Sequence, residues 1–291
     1  MVTPAAIKDV SETAIWVAHY RAEESERPDA MFRDPLAKVL VDGRGEKIAQ
    51  SFGSMGRYTN WIVLTRTINI DEFILDGIRD GVDAVLNLGA GLDTRPYRMD
   101  LPASLQWVEA DFPHLVDYKN TTLAAQTPRC QLQRVSVDLS DDAARQGFLA
   151  SALPNAKKVL VLTEGVVPYL TEEQVAKLAV DLCTHPRYAF WLAEYLSPQA
   201  YRYLKAQPRM RLMANAPFRF FPPDWPGFFV TRGWKPREIR YASAVGQRFR
   251  RKPPMPLIGR LIMLMMSKER IEQMNKMSGF MLMVPNNADA Q

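Results

Sequence analysis

The sequence predicts an α/β protein built on a doubly wound, mostly parallel sheet, and three stretches carry that expectation. In the first, the apolar run Asp83-Ala84-Val85-Leu86-Asn87-Leu88 ends in Gly89-Ala90-Gly91, ahead of a helix-compatible segment. This is how a strand feeds a tight turn. The two glycines let the main chain turn sharply and approach a nucleotide-like ligand with nothing projecting. In the second, about twenty residues on, 105–111 reads as a strand ending in acids, where a doubly wound fold holds ribose hydroxyls. Spacing alone leaves Glu109 and Asp111 both open. In the third, Lys157 and Lys158 lead into a continuous apolar run that closes on Glu164. That is the pattern of a strand covered on both faces, with its carboxyl end toward a ligand. Thr94 stands where the third glycine of the dinucleotide fingerprint would be, which argues against a nicotinamide dehydrogenase.

Taken in order, Ser11 is the expected N-cap of a first helix running through Trp16 and Val17 toward Arg21 and closed before Pro28. A second helix begins at Asp34-Pro35. Gly43, Gly45, Gly53 and Gly56 read as a mobile connection suited to a gate. From 60 to 80, Ile62, Val63, Ile70, Phe73, Ile74 and Ile78 recur at helical spacing, and Arg66 lies on this helix. A crossover helix over 117–126 precedes a third strand over 131–137, which ends at Asp138-Leu139. Asp138 is a candidate cap for the helix starting near Asp141, with Ser140 as the alternative. Beyond Glu164, Tyr169 sits just before Thr171, which caps the next helix with Glu173 and Gln174 in its first turn.

A fifth strand covers 189–195, and Ser197 opens a helix. The stretch 208–234 is rich in Pro, Phe, Trp and Met and too long for a plain connection. It reads as an aromatic wall over the carboxyl edge of the sheet, making a pocket for a flat or apolar acceptor, or else as a patch serving a homodimer. Strands at 237–242 and 279–284, joined by a Met-rich amphipathic helix, complete a seven-stranded sheet, and 285–291 should fray. The organisation expected is an N-terminal helical cap over 1–80 and a Rossmann-like unit over 81–291, with a lid insertion at about 196–234, in one structural domain overall.

Asn87-Leu88-Gly89-Ala90-Gly91-Leu92-Asp93-Thr94, Val108-Glu109-Ala110-Asp111-Phe112-Pro113 and Glu164-Gly165-Val166-Val167-Pro168-Tyr169-Leu170-Thr171 together resemble the leucine carboxyl methyltransferase family. Within it, the chain looks most like the bacterial branch that includes polyketide carboxyl O-methyltransferases. Glu12-Thr13-Ala14 to Arg21-Ala22 and Phe32-Arg33-Asp34-Pro35-Leu36-Ala37 look like the same branch. The resemblance implies a class I methyltransferase sheet with one of its last two strands antiparallel, and S-adenosyl-L-methionine as cofactor. It implies that the cofactor lies over Gly89, Ala90 and Gly91. Asp111 and Phe112 then serve the ribose region, Asp138 and Leu139 the adenine, and Glu164 the methionine portion.

In that family an arginine on the helix corresponding to that of Arg66 reaches the active site and holds a carboxylate of substrate or cofactor. A planar guanidinium fork suits the task. Tyr169 is placed to touch substrate or to pack. Members that act on a phosphatase tail carry a lysine in the N-terminal helix, where this chain has Ala18 and His19, so that substrate is not implied. Arg21 is the replacement cation, and His19 joins it as an expected substrate contact.

A hydrophobic fraction of 47% with 24% charged residues is that of a soluble globular protein. The net charge of +5 comes partly from basic residues at 202–211 and 232–252 that are interleaved with aromatics, yet no nucleic-acid module is legible. An acidic or aromatic small-molecule acceptor suits these basic stretches better than nucleic acid. The two cysteines, Cys130 and Cys183, lack metal spacing and read as free buried thiols. The three histidines are scattered, so no metal site is proposed. The N-terminal stretch lacks a long apolar core, and the apolar run 256–266 is short and broken by Arg260, so a cytoplasmic, non-membrane enzyme is expected.

These readings converge on O-methyl transfer from S-adenosylmethionine to a small-molecule carboxylate. The alternatives are a phenol acceptor with His19 as base, or a non-catalytic cofactor- or partner-binding protein. A carboxylate with a pKa near 4 is already a nucleophile at neutral pH, so the lack of an obvious general base suits the first reading.

Overall fold

The strongest apolar runs become the centre of the sheet. The computed structural model describes residues 7, 9–41, 43–206, 213–255 and 257–287. The start of the aromatic-rich insertion and the tail expected to fray beyond 287 lie outside the described residues. The N-terminal side comprises α1 (Val10–Glu26), α2 (Pro35–Leu40) and α3 (Arg44–Arg79). β1 (Ala84–Leu88), α4 (Arg95–Arg98), β2 (Gln106–Asp111), α5 (Pro113–Thr122), β3 (Gln131–Ser136), α6 (Asp142–Ser151) and β4 (Val159–Thr163) follow. A 3-10 turn (Val167–Tyr169) leads to α7 (Glu172–Cys183), β5 (Tyr188–Leu196), α8 (Pro198–Lys205), α9 (Trp225–Val230) and β6 (Trp234–Tyr241). The chain closes with α10 (Ala242–Arg248), α11 (Leu257–Leu264), α12 (Lys268–Asn275) and β7 (Ser278–Pro285).

The seven strands form one sheet in the order β3-β2-β1-β4-β5-β7-β6. β1 to β5 are parallel, and β7 runs antiparallel to both β5 and β6, as the class I methyltransferase pattern requires. Alternate residues serve opposite faces. Ala84, Leu86 and Leu88 face a core with α6 and α7, while Val85, Leu160 and Leu162 face another with Ile70, Phe73 and Ile74 of α3. The second half of α3 is therefore a sheet-facing helix. α1 packs over the carboxyl end of β1, with Ile15 and Ala18 against Leu92 and Leu115.

Several local expectations are corrected. Asp9 caps α1 by accepting the Glu12 N–H at 3.1 Å, while Ser11 Oγ lies 2.9 Å from His114 Nε2. Both residues are cap formers two positions apart, so residue type could not decide between them. Asp141 caps α6 through the Ala144 N–H, which leaves neither Asp138 nor Ser140 in that role. α5 starts at Pro113, four residues earlier than expected, because the fixed φ of proline suits the first helical position.

The glycines read as a gate are not a connection at all. Gly43 precedes α3 and the rest lie within it, with a kink at Gly53. Gly45 is needed for close approach, since a Cβ there would sit 2.6 Å from His19 Cβ on α1.

The aromatic insertion divides between two roles. Phe220, Trp225, Phe229 and Trp234 are buried in the main core around Trp191, while Met213 and Phe218 of the same stretch line a cavity. The Trp234 ring N–H is satisfied by the Ala179 carbonyl at 2.9 Å. The link between β6 and β7 is broken into α10, α11 and α12 where one amphipathic helix was expected, with Ser267 capping α12. Cys130 is buried, but Cys183 is exposed at the end of α7. Among the described residues, no helix is long and apolar enough to cross a membrane.

Candidate active site

The turn after β1 brings the site's elements together. Gly89 and Gly91 both adopt left-handed φ, +67° and +49°, which an L side chain resists. A Cβ on Gly89 would fall 2.4 Å from Val166 Cγ2, so the loop also leans on the turn that follows β4. Asp111, at the end of β2, pins the loop by accepting the Gly91 N–H through Oδ2 at 2.6 Å and the Phe112 N–H through Oδ1 at 2.7 Å. Burial raises the Asp111 pKa, and those two N–H groups with Lys119 only partly offset it. Glu109, two residues earlier, does not reach the turn. Its Oε2 is held by Lys119 at 2.7 Å and Arg134 at 2.8 Å, which settles which of the two acids lies at the loop.

Over this turn lies a cavity of about 420 Å³, inside the roughly 300–1,000 Å³ typical of small-molecule sites. It brings together Gly89, Ala90 and Gly91 with Asp111 and Phe112, then Asp138 and Leu139, and finally Glu164, Arg66, Arg21 and Tyr169. Asp138 is exposed and accepts from Ser140 N–H at 2.9 Å and Ser140 Oγ–H at 2.7 Å.

Below the cavity, Glu164 meets two arginines. Its Oε1 lies 2.9 Å from Arg66 Nε, an ion pair in which the N–H is not aimed at the oxygen, and its Oε2 accepts from Arg95 at 2.7 Å. Burial pushes the Glu164 pKa up, but Arg95 and then Arg66 outweigh it and hold the carboxylate ionised. Arg95 is almost wholly buried and also bonds Asp71 at 2.7 Å and Asp93 at 2.9 Å. Asp93 ties the loop back to β1 by accepting from Asn87 Nδ2 at 2.9 Å, and its pKa is low because the arginines and Lys119 overcome the cost of burial.

The two substrate contacts expected on α1 fall in different places. Arg21 lines the cavity, but its Nε donates to Asp34 at 2.9 Å and its Nη2 to the Leu92 carbonyl, so its charge is already committed to holding the loop. His19 lines neither this cavity nor the one beside it. Its ring lies 3.6 Å from Glu23, one turn along α1, on the side that meets Gly45 of α3.

A second cavity of about 190 Å³ adjoins the first, with Thr13, Val17, Arg66, Gly165 and Tyr169 lining both. Its walls are largely aromatic and aliphatic, including Trp16, Tyr58, Tyr195, Tyr203 and Phe218. Phe218 stacks edge-on with Tyr169 at 5.1 Å between ring centroids. Burial pushes the Tyr169 phenol up to about 12, so it stays protonated throughout the neutral range.

Among the described residues, Glu194 is the acid on this wall, and sequence reasoning missed it. It could have been found by the rule that singled out Glu164, an acid at the carboxyl end of a buried strand. Arg95 was missed as well, although it stands directly after the glycine turn in the run Asp93-Thr94-Arg95.

A glycine-floored cavity with an acid at the end of β2, apolar flanks at Phe112 and Leu139, and an ionised acid deeper in fits a nucleoside carrying a cationic sulfonium tail. Together with the sheet order, this defines an S-adenosylmethionine-dependent methyltransferase. The leucine carboxyl methyltransferase family model matches residues 14–182, and the chain belongs to that family. It is similar to a candidate S-adenosyl-L-methionine-dependent methyltransferase of Parafrankia sp., 31% identical over 86% of this chain and 85% of that one. It also resembles one from Mycobacteroides abscessus, 36% identical over 60% of this chain and 61% of that one. Among solved structures, a DUF574 family protein from Streptomyces avermitilis has the same fold at a TM-score of 0.55 and 15% identity, covering 92% of this chain and 96% of that one. A candidate methyltransferase from Thermobifida fusca does so at 0.53 and 11%, covering 92% and 94%.

Proposed function

We propose that this protein methylates a carboxylate oxygen of a small, apolar, ring-bearing acid, an acid of polyketide type being one such acceptor. The observation that supports this most is Arg66, on the wall common to both cavities. Its guanidinium has one ion pair, to Glu164, and its terminal nitrogens make no hydrogen bond among the described residues. A planar fork in that position can hold one oxygen of an acceptor carboxylate and leave the other free to attack.

S-adenosylmethionine supplies an electrophilic methyl group on a good leaving group, so the chain's own task is positioning. The glycine turn and Asp111 hold the nucleoside end, Glu164 favours the cationic end, and the apolar second cavity orients the acceptor and excludes water. A cavity of about 150 Å³ is enough for a benzene ring, so about 190 Å³ suits one ring. No base is required for an acceptor already ionised at neutral pH. The free thiols Cys130 and Cys183 suit a reducing compartment, and we place the reaction in the cytoplasm.

The test is a screen of aromatic and aliphatic acids, and of matching phenols, with the cofactor. A methyl ester that mild base hydrolyses is the expected product. A base-stable ether from the phenols, with no ester from any acid, overturns the reading.

A further inference from the structure

Glu194 lies near the carboxyl end of β5, the strand beside the one that leads to Glu164. It is 9% exposed. Its Oε1 accepts the Gly165 N–H, while its Oε2 is buried and has no hydrogen-bond partner among the described residues. The residue lines the second cavity and not the first. A buried carboxyl with one oxygen satisfied and the other left open is costly unless a ligand completes it.

We propose that Glu194 is an acceptor-binding residue whose uncharged carboxyl donates a hydrogen bond from Oε2 to the acceptor's carboxylate and holds it beside Arg66. This deepens, and rests on, the carboxylate reading of the function. Arg66 already faces the ionised Glu164, so a charged acceptor beside a charged Glu194 would set three negative charges around that guanidinium. With the proton on Glu194 the repulsion disappears and a donor is gained, as when a buried acid is kept neutral in order to donate.

The charged and titratable groups around Glu194 come from every side. Arg66 and Tyr58 belong to α3, Glu164 and Tyr169 to the segment after β4, Tyr195 to β5 and Tyr203 to α8. Burial is the largest influence and lifts Glu194 to about 7; the Gly165 N–H and Arg66 oppose it, and Glu164 adds to it. Acceptor acids ionise near pH 4. Between about pH 5 and 7 the acceptor is therefore charged while Glu194 is not, and above that window the donor proton is lost.

The experiment is calorimetric titration of benzoate, phenylacetate and cinnamate into the protein saturated with S-adenosylhomocysteine, from pH 5.5 to 8.5. For the tightest acid, Kd should be level near pH 6 and weaken toward about tenfold per pH unit once Glu194 ionises. Glu194→Gln keeps a donor amide, so it should bind within about tenfold of wild type at pH 6 and show no alkaline weakening. S-adenosylhomocysteine affinity of the variant, measured alongside, reports that its fold is intact.

A wild-type Kd that is flat or tightens with pH overturns the proposal. So does an alkaline limb that survives in Glu194→Gln, or failure of all three acids to bind at pH 6. Product chemistry separates this from the broader reading. Ester formation with a flat pH profile removes only the role of Glu194, whereas an ether product with no ester removes the carboxylate acceptor itself.

Discussion

Glu164 follows β4 and Glu194 lies near the carboxyl end of the neighbouring parallel β5, both next to Gly165 in space or sequence, yet their pKa values shift in opposite directions. Burial disfavours the ionised form of each. Arg95 and Arg66 more than compensate at Glu164, whose pKa falls. At Glu194 a backbone N–H and a more distant Arg66 do not, and the pKa rises to about 7. Asp111, with two backbone N–H partners and no arginine, is raised as well. At the carboxyl edge of one sheet, the arginines within reach thus decide whether the effect of burial on an acid is overcome.

The hardest way to break this contrast is Arg95→Ala. It takes from Asp71, Asp93 and Glu164 the cation they share and leaves a buried hole. Removing one partner of a buried ionic network costs roughly 3–5 kcal/mol, and urea unfolding at pH 7 should show a loss of that size. A change under about 1 kcal/mol would mean the network is hydrated and Glu164 does not depend on it.

Asp111→Ala comes next. Losing a charge-assisted partner should weaken S-adenosylmethionine binding by about 1.5–3 kcal/mol, and loop closure should loosen because Gly91 loses its acceptor. Calorimetry checks this directly, and an unchanged Kd in a folded variant would place the ribose elsewhere.

Arg66→Lys sharpens the contrast more gently, since it keeps the charge near Glu164 and removes the fork. Turnover of an acid acceptor should drop about tenfold while cofactor affinity changes little. If cofactor affinity drops instead, the fork holds the cofactor's own carboxylate. Asp138→Asn should have the smallest effect, under about 1 kcal/mol in cofactor affinity, because this acid is exposed and already bonded to Ser140.

Much of the sheet was legible because β1 and β4 are continuous apolar runs and Thr171 with Gln174 forms a capping box, seen in the structure with both of its bonds. Where two mechanisms shared one residue type, pattern could not choose. Gly45 serves helix approach as readily as a loop, and Phe220 or Trp225 fills a core as readily as a pocket. Periodicity alone would have left Arg66 as an exposed helix residue, and family resemblance supplied its place at the site. Arg95 and Glu194 escaped because their importance depends on partners far away in sequence, 69 residues for Arg95 and Glu164 and 29 for Glu194 and Gly165.

Thr13, Val17, Arg66, Gly165 and Tyr169 line both cavities, so the two chambers share one set of side chains. Whatever fills one chamber therefore becomes part of the lining of the other, and the two affinities cannot be independent. By linkage, any factor by which a bound acceptor tightens the hold on S-adenosylmethionine is the factor by which S-adenosylmethionine tightens the hold on the acceptor. When the methyl group passes directly from sulfur to the acceptor oxygen, both ligands change at once, and the same reciprocity sets how readily the two products leave together.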